Sequence, residues 1–239
     1  MQENVRFNIR HRIYSALDGQ KHDKVKWKFD DSCNLLKELR SRMGKEIPVF
    51  SVTKTDEAGD TLIYCRVFCQ RKDPPPLRLL LDFLKSKSQV PLVPKMDPEA
   101  LEDWSWVQIA LGYHRDRKPI QIFCVRNQGT YQDVFEQEQT GFSKQLSAFG
   151  DQEAELAREF VVRAKFILTA RLSKNDITDE GYDFNGWILE FFQDNCTGIV
   201  QIDEQGFFSP KGELIVNLQN DPDEDFSVPQ IKPSKDNGF

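Results

Sequence analysis

The chain lacks the compact motifs by which many enzymes can be identified. No Gly-rich phosphate-binding loop, HExxH metal motif, CxxC pair or nucleophile elbow occurs among its 239 residues. His114-Arg115-Asp116 matches the first three letters of the kinase catalytic loop, but Gln121 stands where that loop has its metal-binding Asn. These absences exclude a kinase, and the sequence predicts no bound cofactor.

Long hydrophobic runs and an excess of positive charge are also missing. The longest apolar segments, such as 120–125, are far too short to cross a bilayer, and no apolar, signal-like segment stands at the N-terminus. A net charge of −6 and a pI near 5.3 disfavour general binding to nucleic acid or anionic membranes. Five cysteines, an odd number without a regular framework, favour a reducing compartment. We therefore expect a cytoplasmic protein that is neither secreted nor bound to a membrane.

The clearest pattern that is present lies between residues 165 and 218. Lys165–Leu172 is short and rich in β-branched and apolar residues, which favours a buried strand. Next come bulky residues at the spacing of one helix face: Phe184, Trp187, Ile188, Phe191 and Phe192. Gly198 is expected to end this helix in the left-handed conformation. Because Ile199–Asp203 and Glu213–Leu218 have strand character, the predicted order is strand, helix and hairpin, with the aromatic stripe covering a sheet.

A similar order of predicted elements occurs in residues 24–69. The recurrence suggests an internal β-α-β-β duplication. The alternative is that the two units are alike by chance, because this arrangement is common and the two copies share almost no sequence identity. The predicted fold class is α+β, with a mixed or mainly antiparallel sheet, or two such sheets, and helices packed on one face.

The predicted domain organisation follows from these elements and from the acidic C-terminus. Residues 1–220 are expected to form a single globular domain; the alternative is two pseudo-repeated halves, 1–72 and 151–220, around a helical middle, 73–150. The acidic, proline-containing segment 221–239 is predicted to be a disordered tail.

Two segments in the middle of the chain suggest a groove. A helix is predicted over residues 97–111, because an N-cap residue, a proline and an acid are followed by apolar residues at helical spacing. On that helix Trp104 and Trp106 face nearly opposite sides, so one is expected in the core and the other exposed or under residues 127–150. That last segment loses periodicity but keeps aromatic residues such as Tyr131, and we predict a partly helical lid there.

A basic strand near the N-terminus adds a second candidate binding surface. Residues 5–14 alternate between apolar and mostly basic side chains, which predicts a half-buried strand with a basic outer face. Such a face can contact RNA or an acidic partner, or be solvated or covered by the chain's own acidic segments. The candidate binding residues of the two surfaces are Trp106, His114, Arg115, Tyr131, Arg6, Arg10 and Arg12.

The candidates for chemistry are weaker. Asp203 and Glu204 follow a predicted strand, and with the acids at the start of the aromatic helix they offer a site for a divalent cation or acid–base work. We favour the simpler interpretation that these acids complement the helix dipole or are solvated. Cys65 and Cys69 are separated by about 13 Å along a strand, too far for a disulfide or a shared metal, so they are predicted to be packing residues. No metal ligand is predicted.

Two functional classes fit this sequence. We favour a non-catalytic, cytosolic binding or regulatory protein that acts through protein–protein contacts, with a protein partner expected and nucleic acid less favoured. The alternative is a hydrolase or transferase whose site assembles from dispersed acids and His114. A deep pocket that brings His114 or Cys124 within hydrogen-bond reach of a carboxylate would favour the enzyme, whereas an exposed flat or aromatic face would favour the binding protein.

Overall fold

A seven-stranded antiparallel sheet forms the centre of the protein. The computed structural model describes residues 59–129 and 131–218. The strands are β1 (Leu62–Cys69), β2 (Gln108–Leu111), β3 (Ile120–Arg126), β4 (Phe166–Ser173), β5 (Gly198–Ile202), β6 (Gly206–Phe208) and β7 (Leu214–Asn217). They lie in the order β2-β3-β4-β1-β5-β6-β7, and every neighbouring pair is antiparallel. The helices of the described residues are α1 (Leu77–Ser86), α2 (Pro98–Glu102), α3 (Gln132–Ser147), α4 (Gln152–Arg163) and α5 (Asp179–Cys196).

Helices pack on both faces of this sheet. On one face α1 and α5 bury a core that includes Val67, Leu80 and Phe192. On the other face α3 and α4 bury a second core that includes Phe68 and Val134. Successive side chains of a strand point to opposite faces, so neighbouring residues of β1 enter different cores. The predicted α+β class is confirmed, but helices cover two faces where the sequence suggested one.

The aromatic stripe of α5 seats this helix on the sheet, as its spacing predicted. Phe184, Ile188 and Phe192 are fully buried, and Phe191 is 5% exposed. Trp187 is half-buried against the same core, with the Lys87 ammonium 4.3 Å from its ring centroid. The stripe therefore fills a helix–sheet contact.

The chain leaves α5 differently from the prediction. Thr197 takes the left-handed conformation (φ 51°), whereas Gly198 already begins β5, where a Cβ atom would lie 2.5 Å from Cγ1 of Val67. Both β4 and β5 pair with β1 and are joined by α5, so β4-α5-β5 is a split β-α-β unit with β1 in the gap. The predicted hairpin of residues 199–203 with 213–218 is wrong, because β6 lies between these strands.

The predicted helix over residues 97–111 is wrong after Glu102. Asp97 and Pro98 begin a helix as expected, but α2 is only five residues long. Residues 103–107 are irregular, and β2 then pairs with β3 from Gln108 onward. The apolar spacing that suggested a longer helix therefore comes from a loop and a short buried strand.

Segment 127–150, predicted as a partly helical lid, contains α3, which packs on the sheet. The buried residues of α3 include Val134, Phe135 and Leu146, and all three belong to the core on that face. The fourth is Glu138, a charged residue in the middle of the buried stripe. A carboxylate at this position interrupts the apolar pattern from which a helix would have been predicted.

Several predicted features lie outside the described residues. They are the N-terminal basic strand with Arg6, Arg10 and Arg12, most of the first proposed repeat, and the acidic tail of residues 221–239. The duplication stays a prediction for this reason. Among residues 59–129 and 131–218, no helix has both the length and the apolar character that a membrane span requires.

Two glycine substitutions test the β6 geometry. Gly206 has φ +134°, and a Cβ there would lie 1.8 Å from the carbonyl oxygen of Val216 in β7. We expect Gly206→Ala to lower the free energy of unfolding by about 2 kcal/mol or more. Gly141→Ala is the matched control, because Gly141 lies in α3 with open space around it. This substitution should raise the free energy of unfolding by about 0.5–1 kcal/mol. Urea denaturation measures both, and an unchanged Gly206→Ala midpoint would contradict the close approach of β6 to β7.

Candidate functional site

The structure separates the binding residues predicted in the middle of the chain. Trp106 is buried, 7% exposed, and its indole Nε1–H donates to the carbonyl oxygen of Pro75 at 3.1 Å. His114 is exposed beyond the other end of β2, where its Nδ1 accepts from the Asp116 N–H at 3.1 Å. An extended chain rises about 3.3 Å per residue, so roughly 20 Å separates the two side chains. Trp106 is therefore a core residue and does not share a groove with His114.

The other predicted binding residues are also dispersed. Arg115 is exposed in the same turn as His114, and these two are neighbours only because they are adjacent in sequence. Tyr131 precedes α3 and is half-buried against the core of that face. The three N-terminal arginines lie outside the described residues.

An exposed tryptophan does occur beside the buried one. Trp104 is 50% exposed and lies in the irregular loop 103–107 between α2 and β2. The expectation that one of the two tryptophans is core and the other exposed is confirmed, but a loop and not a helix separates their directions. The guanidinium carbon of Arg71 lies 5.9 Å from the Trp104 ring centroid, within range of a cation–π contact.

Two charged side chains hold this loop in place. The Arg126 guanidinium, at the end of β3, donates to the carbonyl oxygens of three successive residues, Trp104, Ser105 and Trp106. The Asp103 carboxylate accepts from both the N–H and the hydroxyl of Ser105 at 2.7 Å, and these bonds hold the pKa of Asp103 below its usual value. These bonds therefore hold the backbone that carries the exposed indole.

Further cations lie at the same end of the sheet as this loop. Arg71 and Lys72 follow β1, and Lys165 precedes β4; its N–H donates to the Cys69 carbonyl at 2.7 Å, which places the two segments side by side. All three side chains are exposed, and within the described part of the chain none forms an ion pair. We call the following residues the Trp104 surface: Trp104, Arg71, Lys72, Arg126 and Lys165.

A buried charge network lies on the α3 side of the sheet. Arg66 in β1 is 3% exposed, and its guanidinium donates to Glu138 of α3, to Gln201 of β5 at 2.8 Å and to Asp203 at 2.7 Å. Burial by itself would lower the pKa of Arg66, but the carboxylates of Glu138 and Asp203 outweigh it and raise the pKa. The guanidinium carbon also lies 5.1 Å from the Phe142 ring centroid. The network therefore keeps Arg66 charged and ties α3 to the end of β5.

Sequence reasoning missed this network, although it singled out one member. Asp203, a candidate metal ligand in the sequence, is instead the partner of Arg66, while Glu204 pairs with Lys174 at 3.5 Å. Residues 59–129 and 131–218 contain no group of three or more His, Cys, Asp or Glu side chains placed to hold a metal ion. The available signal was Arg66 itself, a cation inside an otherwise apolar strand, which requires a buried counter-charge.

The described cysteines are packing residues. Cys65, Cys69, Cys124 and Cys196 are free and buried, as predicted for Cys65 and Cys69. Burial raises the pKa of the Cys124 thiol to about 12, so it is protonated at neutral pH. A nucleophilic cysteine needs the opposite shift and an adjacent base.

Comparison with known protein families, curated proteins and solved structures finds no match to this chain.

A double-mutant cycle tests the Arg66 network. Arg66→Met should lower the free energy of unfolding by about 3–5 kcal/mol, because Glu138 is then buried without its partner. Glu138→Leu removes the other charge of the pair. The double variant should be more stable than the sum of the single effects by about 1–3 kcal/mol, as measured by urea denaturation. Additive single effects would show that the two charges do not interact.

Thiol labelling tests the burial of Cys124. At pH 8 only about one thiol in 10,000 is ionised when the pKa is near 12. In a Cys33→Ser variant, which leaves only the four buried cysteines, we expect no detectable modification by iodoacetamide in the folded protein and four modifications in urea. Mass spectrometry counts the modifications, and rapid labelling of folded Cys124 would overturn its assignment to the core.

Proposed function

We propose that this chain is a non-catalytic binding or regulatory protein that acts through protein–protein contacts, with the Trp104 surface as its contact region. The observation that carries the proposal is a half-exposed tryptophan on a backbone that Arg126 and Asp103 already hold. Tryptophan and arginine are enriched among the residues that contribute most to binding. Since the loop is ordered in advance, binding costs less conformational entropy.

The enzymatic alternative has less support from the described residues. An enzyme of this kind would need a pocket that places His114 or Cys124 within hydrogen-bond distance of a carboxylate. His114 is exposed, and its Nδ1 accepts from a backbone N–H, while Cys124 is 1% exposed with a raised pKa. A hydrolase or transferase built on these residues would need a different arrangement of them.

The expected location and partner class belong to the same proposal. Four free cysteines in the described residues are consistent with a reducing compartment such as the cytoplasm. The net charge of −6 favours a protein partner over nucleic acid.

Trp104→Ala tests the contact region. Affinity capture from native lysate with the wild-type protein identifies candidate partners, and calorimetry with each purified candidate then measures its affinity. We expect Trp104→Ala to weaken binding by about 2 kcal/mol or more, roughly thirtyfold, because the indole is removed from the centre of the contact.

Val90→Ala is the matched control for this experiment. Val90 is 77% exposed and lies after α1, outside the Trp104 surface, so its truncation should leave the affinity unchanged. If every partner binds Trp104→Ala as tightly as the wild-type protein, the Trp104 surface is not the contact region.

A further inference from the structure

We infer that the Trp104 surface recognises an acidic segment of a partner protein; this rests on the proposed function and names the chemistry of the partner. The cations of the surface outnumber the nearby acids. The four cations are Arg71, Lys72, Arg126 and Lys165, and the acids nearest to them in sequence are Asp73, Glu102 and Asp103. Of these acids, Glu102 pairs with Arg78, and the Asp103 carboxylate accepts hydrogen bonds from Ser105. A local positive excess on a chain of net charge −6 is complementary to a negative partner.

The cations divide into two roles. Arg126 directs its donors to the carbonyl oxygens of the Trp104 loop and therefore acts on the scaffold. Arg71, Lys72 and Lys165 are exposed and carry no ion pair within the described residues, so their donors are available to a ligand. A planar guanidinium can hold a carboxylate through two parallel hydrogen bonds, and Arg71 presents its guanidinium beside an exposed indole.

The position of Trp104 among these cations also predicts which residues of the partner segment separate its acids. The Trp104 ring offers apolar area next to these cations, and aromatic or aliphatic side chains gain most from covering it. We therefore expect a segment in which carboxylates alternate with one or more apolar residues. Three available cations are few for a phosphate backbone, which proteins bind through many simultaneous contacts.

The described strands show where the chain's outlying segments join the sheet. β1 runs toward this end of the sheet, since Cys69 is its last residue, so residues 1–58 join the strand at the opposite end. β7 runs the other way: its last residue, Asn217, pairs with Gly206, and the chain continues into residues 219–239 from there. Both outlying segments thus connect to the sheet at the end remote from Trp104.

Nuclear magnetic resonance of the indole N–H groups tests the inference directly. The full chain is labelled with 15N-tryptophan, and Trp104→Phe assigns the Trp104 signal among the four tryptophans. Titration with a peptide of alternating glutamate and leucine should shift the Trp104 signal saturably and leave that of buried Trp106 nearly unchanged. Raising the salt concentration from about 50 mM to about 300 mM should weaken the binding several-fold.

Charge reversal supplies the decisive comparison. Arg71→Glu with Lys72→Glu should weaken peptide binding at least about tenfold, because repulsion replaces attraction at the contact. Lys95→Glu with Lys211→Glu is the matched control: both lysines are exposed elsewhere and the net charge changes by the same amount, so the affinity should change far less. A parallel titration with oligothymidylate tests nucleic acid.

Failure of the acidic-partner inference can be distinguished from failure of the proposed contact region. If Trp104→Ala abolishes partner binding but the peptide produces no shift and charge reversal has no effect, the contact region stands and the acidic partner is wrong. A shift with oligothymidylate and none with the peptide would also overturn the inference. Equal loss of peptide binding in the two charge-reversed variants would show that only overall charge matters.

Discussion

Burial of β1 on both faces is the constraint on which the rest of the described structure depends. Six of its eight residues are buried, and one of them is Arg66. A charge in such a strand is tolerated only with a buried partner. Glu138 must therefore face the sheet from α3, and Asp203 must follow β5 directly. Packing and electrostatics thus specify the same placement of α3, because a shift of that helix would leave the buried Glu138 carboxylate without its partner, while Arg66 would keep only Asp203.

The two faces of the sheet are specified in different ways. The core under α1 and α5 is mainly apolar and aromatic, although the polar side chains of Asn185 and Gln193 are also buried on α5. The opposite face adds an ion pair, which is directional and orients α3 along its axis as well as against the sheet. The sheet also fixes the Trp104 surface, because Arg71, Arg126 and Lys165 each stand at an end of a hydrogen-bonded strand. A site held by strand ends keeps its geometry better than one carried by loops alone.

The sequence predicted those parts of the fold in which local pattern and tertiary environment agree. The β4 strand and the stripe of α5 are examples, since apolar spacing alone places them. The prediction from sequence was wrong or incomplete where a contact between residues distant in the chain determines the structure. Glu138 interrupts the stripe of α3, and only Arg66, 72 residues away, explains its burial. The sequence indicated that one of the two tryptophans is exposed, but it did not predict the loop that carries Trp104. That loop is held by Arg126, which lies 22 residues further along the chain.

The split β-α-β unit has a consequence for synthesis of the protein. β1 is translated first among the described strands, yet its neighbours β4 and β5 come much later, and Asp203 stands 137 residues after Arg66. Until β4 and β5 are synthesised, both edges of the largely apolar strand β1 lack their native hydrogen-bonded neighbours. An unpaired strand edge is a template for pairing with another chain. We therefore expect β1 to be open to pairing with other chains until β4 and β5 have been synthesised.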